Sequence, residues 1–298
     1  MKRILIVILL IQGICFSGSS QTLFLNHGQY GGLGVMENNA LSLLSQQGGA
    51  GFMLRQQWVG LEGAPRSLVG TGHIGLTGFG ATTGIAVRQD GVGVERHTEV
   101  LGFFAKSIRL TASDCLGMSI NIGMVHYVAR YSSLDVSDQS FREDVVERDG
   151  LLGVSLVLYR PERYYVGVSL PRMTRGGVGT FGPNRYEFPN QYFLTCGALF
   201  GLDSYFHLRP SVRAVYNRTL GLQLSGSAMV FADRKVGLGM GMRTEGELSG
   251  LLRFHFGGIG LGYSYQLSPG NRPMNRRINN STHEIGLSYE FSGQQRML

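Results

Sequence analysis

Gly258-Ile259-Gly260-Leu261-Gly262-Tyr263-Ser264-Tyr265-Gln266-Leu267-Ser268 alternates strictly between large apolar residues and small or polar ones. Successive side chains of a strand point to opposite faces. Ile259, Leu261, Tyr263, Tyr265 and Leu267 therefore share one greasy face, and Gly260, Gly262, Ser264 and Gln266 share the other. The same grammar recurs. Leu222, Leu224, Ala228 and Val230 oppose Gln223, Ser225 and Ser227, and Val236, Leu238, Met240 and Met242 oppose Gly237, Gly239, Gly241 and Arg243. Ile285, Leu287, Tyr289 and Phe291 oppose Glu284, Gly286, Ser288 and Glu290.

Working outward, we find about fourteen such runs, many as long as the roughly 9–11 residues that a tilted strand needs to cross a bilayer. They lie near 51–59, 66–78, 81–90, 93–110, 116–130, 148–159, 162–171, 189–202, 205–217, 219–232, 234–244, 246–257, 258–268 and 281–291. The connections alternate in length. Short ones fall at Phe79-Gly80, Arg160-Pro161, Asp203-Ser204, Asp233-Arg234 and Gly257-Gly258, and long ones at Tyr131–Glu147, Arg172–Phe188 and Pro269–Asn280; Asn217-Arg218-Thr219 is short where a longer loop was allowed. Outer-membrane barrels have short periplasmic turns and longer outside loops. A soluble sandwich would carry charge on the face opposite its core, whereas here that face is mostly Gly, Ser, Thr and Gln. The expected fold is all-β: a transmembrane outer-membrane β-barrel of about fourteen antiparallel strands over 51–291, with a short tail at 292–298 and the N-terminus periplasmic. Tyr159, Tyr164, Tyr165, Tyr192, Phe193, Phe254, Phe256, Tyr289 and Phe291 sit near strand ends, as an interfacial girdle would.

Composition agrees. Gly contributes 45 of 298 residues, and charged residues are 16% against about 25% in an ordinary soluble domain. Residues 1–20 read as a secretory signal peptide: Lys2 and Arg3, an apolar Ile4–Ile11, then small residues up to Ser20. Ile14 before Cys15 is too bulky for lipid attachment. Residues 21–50 are weakly periodic, and an irregular N-terminal segment inside or beneath the barrel is expected. Without residues 1–20 the formal charge is 25 − 20 = +5, spread along the chain. The densest basic stretch, Asn271–Arg277, reads as a surface loop and not a nucleic-acid patch. Two cysteines, Cys115 and Cys196, are no disulfide framework, and the sequence leaves their pairing open.

No catalytic motif emerges. His27, His73, His97, His126, His207, His255 and His283 make neither HxH nor HExxH, so neither a metal nor another cofactor is indicated. Gly237-Leu238-Gly239-Met240-Gly241 lacks the following helix that a phosphate cradle needs. The acidic residues Asp135, Asp138, Glu143, Asp144, Glu147 and Asp149 lack calcium-loop spacing. Arg55, Arg209, Arg213, Arg243 and Arg253 fall on polar faces. Pairing with Glu245, Glu247, Glu284 or Glu290 in a filled lumen is favoured over an anion-attracting pore, because unpaired buried charge is costly.

Arg55-Gln56-Gln57-Trp58-Val59-Gly60-Leu61-Glu62-Gly63-Ala64-Pro65-Arg66, which holds the only Trp, resembles the R-x-Q-W-x-G-x-x-G-A-P signature of the PorP/SprF family of type IX secretion system membrane proteins. Tyr164–Pro171, Leu208–Val212 and Ser281–Phe291 resemble further family segments in the same order. Two departures stand out: Glu37–Leu44 replaces an NPAYAG-like segment, and Arg172 follows Pro171 where the family often has Asn. The resemblance implies an outer-membrane component of type IX protein secretion that supports export or surface attachment of gliding adhesin-type cargo. It also implies partners: outer-membrane lipids, the periplasmic lipoprotein and ring proteins, and a secreted cargo's C-terminal domain, with no nucleic acid and no enzyme activity. A porin-like passive channel is the alternative. Arg55, Gln57, Trp58, Gly60, Gly63, Ala64 and Pro65 are the family-motif residues, expected to act structurally or as a partner contact, with Trp58 at the outer end of the first strand and Gly60–Pro65 forming the first outside turn.

Overall fold

The computed structural model describes residues 34–134, 143–174, 190–218, 221–244, 246–267, 281–293 and 297. Residues 1–20, read from the sequence as a signal peptide, and His27, Asp135, Asp138, Glu245 and the basic Asn271–Arg277 stretch lie outside them.

The chain forms a closed antiparallel barrel of fourteen staves. In order these are β1 (Gly48–Gln57), β2 (Arg66–Leu76), β3 (Ala81–Val92), β4 (Glu95–Arg109), β5 (Cys115–Ala129), β6 (Val145–Arg160), β7 (Tyr164–Thr174), β8 (Gln191–Ala198), β10 (Phe206–Asn217), β11 (Gly221–Ala232), β12 (Val236–Arg243), β13 (Leu248–Phe256), β14 (Ile259–Leu267) and β15 (Ser281–Glu290). The two-residue β9 (Phe200–Gly201) continues the β8 stave past Leu199. Each stave pairs with its sequence neighbours, and β15 pairs with β1 from Gly49↔Glu290 to Gln57↔Thr282. Closure leaves no open edge, which a spanning sheet needs because lipid offers no hydrogen-bond partners.

Alternation sorts the side chains. Ile122, Leu238, Met240, Ile285 and Leu287 point outward, up to 74% exposed for Met240, whereas Ser264, Gln266 and Glu284 point inward and are buried. The girdle expectation needs correction at three positions. Tyr159 and Phe193 are buried inside the barrel, and Tyr165 packs on the inner core. Each lies opposite small or apolar inner residues, so the lumen and not the interface takes its ring. Tyr192, Phe254, Phe256, Tyr289 and Phe291 do face outward.

The two ends of the barrel differ. Connections at one end are tight: 77–80, 110–114, 161–163, 202–205, 233–235 and 257–258. Asp233 and Arg234 both adopt positive φ (48° and 55°), and Lys235 N–H donates to the Ala232 carbonyl at 3.0 Å, as a two-residue hairpin requires. In the 110–114 turn, Asp114 accepts a bidentate pair from Arg160 and a bond from Tyr164, each at 2.8 Å. The longer connections and the Trp58 turn share the other end, here called the Trp58 end.

The first strand begins at Gly48, ahead of the expected 51, and residues 34–44 are helical where irregular chain was expected: Gly34–Glu37, then a 3-10 segment Asn39–Leu44. β6 likewise starts at Val145, so Glu147 belongs to a strand and not to the long connection expected at Tyr131–Glu147.

Cys115 is directly opposite Tyr159, which faces inward, whereas Cys196 is opposite Val166 and Val212, which face outward. Directly opposed residues share a face. Both thiols are free, and the barrel wall separates them. Copper-phenanthroline oxidation of the folded barrel should therefore give no Cys115–Cys196 cross-link by peptide mapping; finding that link would contradict the assignment of faces.

Candidate functional site: the filled lumen and the Trp58 turn

The segment 34–44 lies within the lumen. Val35, Met36, Ala40, Leu41, Leu43 and Leu44 form one core with the inward residues Met53, Val69, Ala86, Leu101, Phe103, Ala105, Val157 and Tyr159. The plug's polar groups are fastened to the wall. Asn38 caps the 3-10 segment by accepting from Ala40 N–H at 3.0 Å, and its Nδ2 donates to the carbonyls of Leu156 (3.1 Å) and Val168 (3.5 Å). Ser169 Oγ donates to the Glu37 carbonyl at 2.6 Å, and the Ser42 and Thr82 hydroxyls bond at 2.5 Å. Gly167 makes room for this contact, because a Cβ there would stand 2.6 Å from Asn38 Nδ2.

Toward the Trp58 end the lumen is charged and balanced by pairs. Arg55 pairs with Glu284 (4.0 Å), Arg88 with Asp90 (2.6 Å), Arg172 with Glu99 (2.9 Å), Arg213 with Glu37 (3.2 Å) and Arg243 with Glu247 (2.6 Å). Five cations meet five anions. Arg55 also donates to Gln266 Oε1 at 3.0 Å, so one guanidinium links β1, β15 and β14. Arg213–Glu37 ties the plug to β10. The pairing of Arg55, Arg213 and Arg243 follows the sequence expectation, although Glu37 was not foreseen as a partner. Arg209 differs: Nη1 donates to the Met297 carbonyl at 2.8 Å and its guanidinium lies over the Phe231 ring at 5.1 Å. Glu290 approaches Ser45 Oγ.

The Trp58 motif divides between two places. Arg55 is buried inside the barrel. Gln57 ends β1, and its N–H donates to the Pro65 carbonyl at 2.9 Å. Trp58 is not on the strand but opens the turn with φ 49°, in the left-handed region; Gly60 (φ 97°) and Gly63 (φ 71°) also have positive φ, which glycine adopts without strain. Within the turn, Leu61 N–H donates to Trp58 O (3.1 Å) and Ala64 N–H to Leu61 O (3.3 Å), while Gly93 N–H from the β3–β4 connection donates to Gly63 O (2.8 Å). Val59 and Leu61 are exposed at its tip, Trp58 is half-buried and Pro65 is buried. The motif is thus a clasp inside and a fixed turn outside, and no single pocket gathers Arg55 with Trp58.

The sequence profile described as type IX secretion system membrane protein PorP/SprF matches residues 26–289. The chain belongs to the PorP/SprF family. Stretches that carry this family resemblance meet one another in the lumen: Arg55 with Glu284, and Gly167 and Ser169 with the plug that replaces the NPAYAG-like segment. Arg172, the departure after Pro171, pairs with Glu99. The similar solved structures are barrels. The CymD monoaromatic hydrocarbon channel aligns with a TM-score of 0.51 at 12% identity, over 87% of this chain and 92% of that one. The outer membrane protein Omp33 of Acinetobacter baumannii aligns with a TM-score of 0.47 at 8% identity, over 83% and 99%. At such identity the likeness concerns the fold alone. No curated protein matches the chain by sequence. Fold and family together make this PorP/SprF member an outer-membrane β-barrel of type IX secretion.

Two outcomes follow. Removing one partner of a buried ion pair costs roughly 3–5 kcal/mol, whereas replacing both by apolar residues costs far less. In urea titrations of the barrel, Arg55→Ala should lower the unfolding midpoint markedly and the double variant Arg55→Met/Glu284→Met should recover most of the loss; equal loss in both would refute the clasp. Gly167→Ala should push Asn38 off the wall and speed amide hydrogen exchange across residues 38–44 while leaving β10–β14 protected. Unchanged exchange in the plug would show that Asn38 does not hold it.

Proposed function

We propose that this barrel is a closed scaffold of the type IX secretion machinery, acting by holding partners and not by conducting solutes or cargo. The observation that carries the reading is the plug 34–44, which is fastened to the wall through Asn38, Ser42 and the Glu37–Arg213 pair. A chain that spends its own residues and five buried ion pairs on filling its lumen leaves its ends and loops as the working surfaces. Both β1 and β15 meet the tight-turn end, where Gly48 and Glu290 lie. Since barrels of this type keep their short turns in the periplasm, the N-terminus is periplasmic and the Trp58 end faces outward. The tight-turn end then meets the periplasmic lipoprotein and ring proteins, and the Trp58 end meets the C-terminal domain of secreted, gliding adhesin-type cargo. The domain layout that goes with this is a signal peptide at 1–20, the N-terminal segment to about residue 50, the barrel to 291 and a short tail. The reading involves no catalysis.

The exposed Val59 and Leu61, held on a hydrogen-bonded turn beside Trp58, are apolar groups placed to touch a partner at that end. Val59→Ser/Leu61→Ser should leave the barrel folded, judged by heat-modifiable gel mobility, and should abolish co-purification of exported cargo from detergent extracts. If the unaltered barrel captures neither cargo nor any secretion component, the scaffold reading fails; if the variant captures cargo undiminished, the turn is not the contact.

A further inference from the structure

The tight-turn end of the lumen holds a second, separate occupant. Met297 is 1% exposed, and its side chain sits among Leu199, Met229, Phe231 and Leu251. Both of its backbone polar groups are bound by the barrel. Its carbonyl accepts from Arg209 Nη1 at 2.8 Å, and its N–H donates to Glu162 Oε1 at 3.4 Å. Its sulfur lies 3.1 Å from Arg234 Nε. An apolar hole flanked by one donor for a carbonyl and one acceptor for an N–H is the arrangement by which a groove reads one residue of an extended peptide. The unbranched, polarizable Met side chain suits a hole lined by Leu, Met and Phe.

Glu162 and Arg234, from two of the tight turns, flank the pocket. These two pair with each other at 2.6 Å across the mouth of the pocket, and each touches Met297. At the inner end Arg209 is buried, stacked on Phe231, and carries its charge to the peptide carbonyl. His255, also buried, has its ring 5.5 Å from that of Phe231, and its Nε2 has no hydrogen-bond partner among the described residues.

We propose that this pocket is a peptide-docking site for an extended segment presenting a long, unbranched apolar side chain, and that Met297 of the chain's own tail is its resident occupant. Tethered to the barrel, Met297 holds the pocket at millimolar effective concentration until a segment of the same chemistry displaces it. The inference is independent of the secretion reading, because it concerns recognition by the purified barrel.

The test uses the full barrel and a barrel truncated after Gly293, with a fluorescent synthetic peptide of residues 292–298 as the probe. The truncated barrel should bind the peptide saturably by fluorescence anisotropy, and the full chain should bind it at least tenfold more weakly. A peptide with Met297→Ala should lose at least tenfold in affinity, as should the truncated barrel with Arg209→Ala. No binding by a truncated barrel that retains its heat-modifiable mobility would overturn the proposal, as would equal binding of the Met297→Ala peptide. Should the truncated barrel fail to fold, Met297→Ala in the full chain decides the matter: tail cleavage by trypsin at Arg296 is expected to accelerate at least tenfold, and an unchanged rate would overturn the site.

Discussion

Closure of β15 onto β1 is the constraint on which the rest of the molecule depends. The ladder between them supplies backbone hydrogen bonds that lipid cannot, but backbone pairing alone fixes no register. Arg55 and Glu284 are register partners on the inner face, and both side chains are almost wholly buried. A shift by one residue would turn Arg55 toward lipid and strand Glu284 in the interior. The ion pair, extended to Gln266 on β14, therefore selects the register in which the two ends of the chain meet. Buried pairs contribute little net stability compared with apolar packing, and register selection is their best attested use.

That closed wall encloses a space which the chain then fills with itself. The apolar half receives the segment 34–44, the charged half is neutralised pair by pair, and the tight-turn end receives Met297. These fillings connect. Glu37, at the end of the plug's first helical turn, supplies the anion for Arg213 on β10, so expelling the plug would leave a buried cation behind as well as an empty apolar hole. Plug and wall thus stabilise one another, and an open lumen is disfavoured on both counts.

Most of the outer face was legible in the sequence, because lipid is a uniform solvent and favours outward apolar residues at period two. Fourteen runs followed from that period, and the alternating loop lengths were a second, independent signal. The lumen was not legible, because its solvent is the protein itself and changes from residue to residue. Val100-Leu101-Gly102-Phe103-Phe104-Ala105 and Ala228-Met229-Val230-Phe231 lose the alternation. There Leu101 and Phe103 pack on the plug, and Met229 and Phe231 pack on Met297. Apolar residues on both faces of a spanning strand were the available signal that something apolar lies within. Tyr159 and Phe193 belong to the same class, and their placement near strand ends disguised them as girdle residues. Trp58 shows another limit: period two cannot tell the last strand residue from the first residue of a turn, and the left-handed φ of Trp58 decides it.

The central claim is that the barrel is closed by its own residues. The measurement that tests it most directly is ion conduction by the purified barrel in planar lipid bilayers. The account predicts silent bilayers for the intact chain, and stable current steps once residues 34–44 are replaced by a Gly/Ser linker of equal length. Large, stable steps from the intact chain would contradict it.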